Sequence, residues 1–93
     1  MKTIKSWAEE DRPREKMLSK GKEALSNAEL LAILIGSGNS KESAVDLSRR
    51  ILSDKNDNLI ELSKLNINEL MKYNGIGEAK AVSITAAMEL GRR

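Results

Sequence analysis

A glycine pair near the end of the sequence is the feature whose residue types could do chemistry. Gly75 and Gly77 flank Ile76 in "YNGIGEAK", and a helical pattern begins directly after them. Glycine has no Cβ, so the chain can reverse sharply while its backbone N–H groups stay uncovered. A helix start also carries unpaired N–H groups and about half a positive charge, which together attract an anion. The sequence therefore predicts either a tight corner between helices or a corner whose backbone binds a phosphate.

Two lysines could add charge to this corner. Lys80 lies about one turn into the helix after the corner, and Lys72 approaches from the helix before it. Their contacts would fall on phosphate oxygens, so binding would be independent of base sequence and sensitive to salt. Ordinary solvated lysines are the plain alternative at both positions. The candidate DNA-binding residues are Gly75, Ile76, Gly77, Ala79, Lys80 and Lys72.

The composition removes several kinds of catalytic site from consideration. The chain has 93 residues, of which 40% are hydrophobic and 32% charged, and this suits one small folded domain. Without histidine or cysteine, disulfide frameworks, thiol nucleophiles and zinc clusters lack their usual groups. We therefore expect no enzyme activity and no cofactor in this segment. The net charge of +2 permits nucleic-acid binding without requiring it.

The sequence predicts a cytoplasmic protein with no membrane segment. No apolar run approaches the roughly 20 residues that a membrane-spanning helix needs. The N-terminal stretch "MKTIKSWAEEDRPREK" lacks the apolar centre of a signal peptide. The absence of cysteine fits a reducing compartment.

Capping patterns and apolar spacing predict an all-α fold. Residues 1–10 are expected to be irregular, with Trp7 in an apolar pocket, and a helical domain of 11–93 should start at Asp11 and Pro13. No segment alternates with period two, so no sheet is predicted, and the expected fold is a compact bundle of about five short helices. The predicted cap pairs are Ser26 with Glu29, Asn39 with Glu42, Asn58 with Glu61, and Asn66 with Glu69.

Two further expectations concern the interior of this bundle. Residues 30–35 are apolar nearly all round, so their helix should be the most buried element. A faint repeat relates "AELLAILIGSG" to "NELMKYNGIG", in which an apolar helix ends at a Gly-x-Gly corner. Two helical hairpins joined by a linking helix would produce this repeat, and so would unrelated capped amphipathic helices. A valine at Gly77 is expected to spoil the second corner.

The stretch "LMKYNGIGEAKAVSI" resembles the helix-hairpin-helix motif of non-specific DNA-binding proteins. That motif has an apolar helix, a corner that alternates apolar residues with glycine, and a second helix with an early alanine. The longer stretches "DRPREKMLSKGKEALSNAELLAILIGSG", "NGIGEAKA" and "AMELGRR" are similar to the N-terminal domain of the RadC family of bacterial proteins. The resemblance covers residues 8–93, with the hairpin motif at 66–91, and favours a tandem helix-hairpin-helix-like fold.

The resemblance implies a role in DNA repair and assigns the corner to phosphate binding. In such motifs the glycines and the start of the second helix meet a phosphate, a role that Gly75, Gly77 and the backbone at Lys80 would take here. Glu78 departs from this pattern because its carboxylate would repel DNA. The family also implies a C-terminal JAB/MPN metalloprotease-like domain, whose zinc site needs a His-x-His pair that this sequence lacks.

A second function from a different class stays open. The helices could form a protein-interaction or regulatory domain that docks on its own C-terminal JAB/MPN domain or on another protein. In that case residues 30–35 and Trp7 would supply the contacts instead of the lysines. A contiguous exposed apolar patch would favour docking, whereas outward-facing amides at the glycine corner would favour DNA.

Overall fold

The computed structural model describes residues 12–93, and these residues contain helices and no strand. The all-α prediction is therefore confirmed for this part of the chain. The expectations for Trp7, for Asp11 and for an irregular segment 1–10 lie outside the described residues. In chain order the helices are α1 (Pro13–Lys20), α2 (Asn27–Ile35), α3 (Ala44–Asp54), α4 (Leu59–Ser63), α5 (Ile67–Met71) and α6 (Glu78–Arg92), with a 3₁₀ helix, Lys22–Ala24, before α2.

Capping boxes fix the starts of α2 and α5 as predicted. At α2 the amide of Glu29 donates to Ser26 Oγ at 3.1 Å, and the amide of Ser26 donates to Glu29 Oε1 at 2.8 Å. Asn66 and Glu69 form the same reciprocal pair at α5. Each box satisfies amides that the first helical turn leaves without partners. Lys16 Nζ also donates to Glu29 Oε2 at 3.0 Å, which ties α1 to α2.

The predicted cap of α3 by Asn39 and Glu42 is wrong. The helix begins after Ser43, whose hydroxyl accepts from the amide of Asp46 at 3.1 Å. Asn39 Oδ1 instead accepts from the amide of Glu42 at 2.9 Å and so closes a turn before the helix. Asparagine forms such local turns as readily as it caps helices, and Ser43 stands at the position that a cap requires.

The core lies where α2, α3 and α6 meet. Among the described elements α2 and α3 pack together most extensively, and α6 packs against both α2 and α5. Each fully buried aliphatic side chain contributes about 1.5–3 kcal/mol, so these residues chiefly maintain the fold. The buried cluster consists of Ala28, Leu31, Ile35, Leu47, Ile51, Leu52, Leu62, Leu70, Ile76, Ala81 and Ile84.

We expected α2 to be the most buried element, but only one of its faces is buried. Leu31, Ala32 and Ile35 are buried, but Leu30 and Leu34 are exposed on the opposite side of the same helix. A domain this small has one core between two layers of helices, and each helix can turn only one face towards that core. In α3 one face is buried as well, and it carries Val45, Leu47, Ser48, Ile51 and Leu52.

Candidate nucleic-acid interface

The corner between α5 and α6 turns at Gly75. This residue has a φ of 104°, a backbone conformation that residues with a Cβ rarely adopt. A Cβ built there would lie 3.1 Å from Leu47 Cδ2 and 3.2 Å from the carbonyl oxygen of Gly38. The fold itself therefore requires glycine at position 75, whatever the corner binds.

Ile76 anchors the corner to the core. Its side chain is only 3% exposed and belongs to the buried cluster. Its amide donates to the carbonyl oxygen of Tyr73 at 2.9 Å, which closes the turn. Ile76 therefore points into the core, and its burial fixes the backbone that presents Gly77.

Gly77 differs from Gly75 because nothing in the described structure requires it to be glycine. Its φ of −89° and ψ of −173° are extended values that any residue can adopt. A Cβ built there would meet no atom within 4 Å. The expectation that valine at position 77 would spoil the corner is therefore wrong on steric grounds. A side chain at this position would instead cover the surface above the start of α6.

The first turn of α6 presents open amides to that surface. Gly77 is the N-cap of α6 and provides no side-chain acceptor, and Glu78 does not fold back to provide one. Among residues 12–93 no acceptor forms a hydrogen bond with the amides of residues 77–80. Residues 77–79 are exposed, so this first turn lies at the surface, at the positive end of a 15-residue helix.

The two candidate lysines occupy different environments. Lys80 Nζ donates to the carbonyl oxygen of Ser37 at 2.9 Å and to its hydroxyl oxygen at 3.0 Å. Lys72 is exposed, and it forms no ion pair with any residue of the described range. The structure thus places Lys80 between the two glycine corners, and leaves Lys72 beside the second corner with its charge available.

The loop of residues 36–43, which is the first glycine corner, contacts the second corner directly. Asn39 Nδ2 donates to the carbonyl oxygen of Asn74 at 2.8 Å, one residue before the left-handed glycine. Together with the bond from Lys80 to Ser37, this holds both sides of the second corner. The sequence interpretation missed Asn39 and Ser37 as supporting residues. The repeat of two Gly-x-Gly corners was the signal that could have suggested their contact.

A polar cluster braces the same junction from the side of α3. Arg50 donates to both carboxylate oxygens of Glu42, at 2.8 and 2.9 Å, and its guanidinium carbon lies 5.5 Å from the centre of the Tyr73 ring. The hydroxyl of Tyr73 donates to Asp54 Oδ2 at 2.7 Å. Arg50, with help from Asn39, lowers the pKa of Glu42 to about 2. Burial, with help from Asp54, raises the pKa of Tyr73 to about 12.

The described residues form neither a metal site nor a membrane-spanning helix. Within residues 12–93 no group of three or more acidic, histidine or cysteine side chains is arranged to hold a metal ion. The zinc site that the RadC resemblance implies for a further domain therefore does not fit the residues of this range. None of the helices in the same range is long and apolar enough to cross a membrane.

Comparison with known proteins identifies relatives of this whole segment. The profile of a family described as "UPF0758 N-terminal" matches residues 4–82. A "UPF0758 protein" of Flavobacterium johnsoniae is 64% identical over 90 residues, which are 97% of this chain and 39% of that protein. Another from Porphyromonas gingivalis is 52% identical over 92 residues, 98% of this chain and 40% of that protein. The chain thus spans about 40% of the length of these curated relatives. No solved structure matches the chain.

Proposed function

Starting from the fact that the chain belongs to the UPF0758 N-terminal family, we propose that it is a DNA-binding module of a longer protein. It would hold the DNA backbone at the surface formed by Gly75, Gly77 and the first turn of α6. The RadC and helix-hairpin-helix resemblances, with their implied role in DNA repair in the cytoplasm, are part of the same proposal. Catalysis and any cofactor would belong to other parts of the longer protein.

The observation that carries this proposal is the pairing of an open glycine with uncapped amides. Gly77 is not required by backbone conformation or by packing, since a Cβ there would lie in open space. A missing side chain at such a position is useful when another molecule must approach the backbone closely. The donors that this leaves accessible are those of a helix start, whose preferred ligand is an anion.

The charges around the corner favour a polymeric phosphate over a single small anion. Lys72 stands free beside the corner, whereas Glu78 places a carboxylate in the first turn of α6. One amide cluster with one free cation and one opposing carboxylate gives weak affinity for an isolated phosphate. A DNA backbone offers many phosphates at regular spacing, and it gains entropy from released counterions as each one is neutralised.

The test uses substitutions that separate binding from folding. Gly77→Asp keeps the extended backbone that an N-cap needs and supplies a carboxylate to the amides of the first turn. We expect this variant to unfold at a temperature equal to or above that of the parent, because aspartate caps better than glycine by a few tenths of a kcal/mol. We expect it to lose DNA binding in fluorescence anisotropy at low salt. The new carboxylate would accept hydrogen bonds from the first-turn amides, and its negative charge would repel the DNA phosphates.

The matched control is Gly91→Asp, at the other end of α6, where a Cβ also meets no atom within 4 Å. It adds the same charge to the same helix and should retain most of the binding. For the parent, the logarithm of the affinity should fall with the logarithm of salt concentration, with a slope of about 0.9 for each phosphate contacted. Equal losses in both variants, or no binding by the parent at low salt, would refute phosphate recognition at this corner.

A further inference from the structure

An apolar groove lies between α4 and the last turns of α6. Leu59, Ile60 and Ser63 line one side, and Ala87, Met88 and Gly91 line the other. Its volume is about 480 Å³. With a rise of 1.5 Å per residue, α6 separates this groove from the glycine corner by about 20 Å. The groove is therefore a second surface feature, which DNA binding at the corner does not use.

The α4 side of the groove is more apolar than a solvent-facing helix requires. Only Leu62 of this five-residue helix is buried, while Ile60 is 68% exposed and Leu59 is 42% exposed. The two exposed side chains are adjacent in sequence and face a second apolar wall formed by α6. Large apolar side chains that line one concave surface typically mark an interaction site, whereas isolated exposed ones do not.

The family relationship indicates what covers this groove. The matched segment is 39–40% of the Flavobacterium and Porphyromonas proteins, and the family profile describes an N-terminal region. Most of the remainder of those proteins therefore follows the segment that ends in α6. A chain leaving α6 begins at Gly91 and Arg92, which themselves border the groove.

We propose that the groove is the docking site for the C-terminal portion of the longer family members, which presents an apolar surface to Ile60 and Leu59. A tethered partner acts at an effective concentration on the order of millimolar, so a small apolar contact is enough to keep it docked. This identifies a docking face other than residues 30–35, and it does not depend on DNA binding at the corner.

The test requires a full-length protein. Residues 1–93 replace the matched segment of the Flavobacterium johnsoniae protein, and amide hydrogen exchange is compared between this protein and the 93-residue chain. We expect the amides of α4 and of the last two turns of α6 to exchange at least tenfold more slowly in the full-length protein. Exchange at α1, which is remote from the groove in sequence, should stay the same in both.

Two variants assign that protection to the groove. Ile60→Glu should abolish it, and Ile60→Ser, which introduces no charge, should reduce it even if the glutamate variant fails to fold. Leu18→Glu is the matched control, because Leu18 is 88% exposed on α1 and should leave the protection intact. Equal exchange in the two proteins, protection that survives both Ile60 variants, or protection of the 93-residue chain that grows with its concentration would overturn the proposal. The last result would indicate a second copy of the chain as the occupant.

Discussion

The two glycine corners have similar sequences, but the first is tightly packed and the second is open to solvent. At the first corner, Ser43 caps the helix that follows, and a Cβ on Gly38 would clash with the carbonyl oxygen of Glu42. At the second corner the following helix has no side-chain cap, and a Cβ on Gly77 would meet nothing. One corner is closed by its own side chains and braces the other, which faces solvent. Similar Gly-x-Gly sequences therefore stand in different surroundings at the two corners.

The largest expected effect is a difference in stability between alanine substitutions at the second glycine of each corner, which is Gly38 in the first and Gly77 in the second. Gly38→Ala places a methyl group against the backbone of the loop, and we expect it to cost about 3 kcal/mol or more of the free energy of unfolding. Gly77→Ala should cost no more than about 1 kcal/mol, since it only removes a better N-cap residue. Urea denaturation followed by circular dichroism measures both. Similar losses would mean that the corners are equally packed.

The next effect tests the caps themselves. Ser43→Ala should lower the free energy of unfolding by about 1 kcal/mol, because it leaves the amide of Asp46 without its partner. Gly77→Ser should raise it by a few tenths of a kcal/mol, since serine supplies an acceptor where α6 has none. Thermal unfolding of the two variants measures these opposite shifts. Shifts of the same sign would contradict the description of one capped and one uncapped corner.

A smaller effect should distinguish the lysines of the two corners in DNA binding. Lys72→Gln should reduce the slope of log affinity against log salt by about 0.9, as expected for one lost phosphate contact. Lys41→Gln is the control, because Lys41 is an exposed lysine in the loop of the first corner. Anisotropy titrations at several salt concentrations measure both slopes. A larger change for Lys41 would place the DNA on the first corner.

The smallest effect concerns acid stability at the brace between the corners. The pKa of Glu42 is lowered from 4.5 to about 2 by Arg50 and Asn39. A depressed pKa contributes stability that is present above pH 4.5 and is lost as the pH falls towards 2. Glu42→Gln should therefore flatten the fall of melting temperature within that window, while the parent and the variant differ by a constant amount above it. Parallel curves throughout the window would show that the pair does not stabilise the fold.

Local chemistry explains which parts of the fold could be predicted from sequence. The boxes at Ser26 and Asn66 were predicted because both partners lie within one helical turn. The cap of α3 was predicted at Asn39 and lies at Ser43, because both residue types can cap a helix and only the packing of the loop selects one of them. The apolar content of residues 30–35 gave no indication of which face would turn outward, since tertiary packing sets that choice.

At the candidate site the sequence indicated the corner but not the different structural roles of its two glycines. Gly75 and Gly77 look equivalent in sequence, yet a Cβ at Gly75 would crowd Leu47, whereas a Cβ at Gly77 would meet no atom. That difference depends on residues far away in the chain, which no local pattern reports. The bond between Lys80 and Ser37 is equally long-range, and it joins the two corners, whereas the sequence suggested either a phosphate contact or a solvated lysine at Lys80.

The burial of Ile76 has a thermodynamic consequence for any ligand of the corner. Because this side chain is buried in the core between the two glycines, the backbone of the corner is held in one conformation without any ligand. Such a preorganised receptor loses little conformational entropy on association. If DNA binds at this corner, calorimetry should accordingly lack the large negative heat-capacity change that accompanies coupled folding and binding.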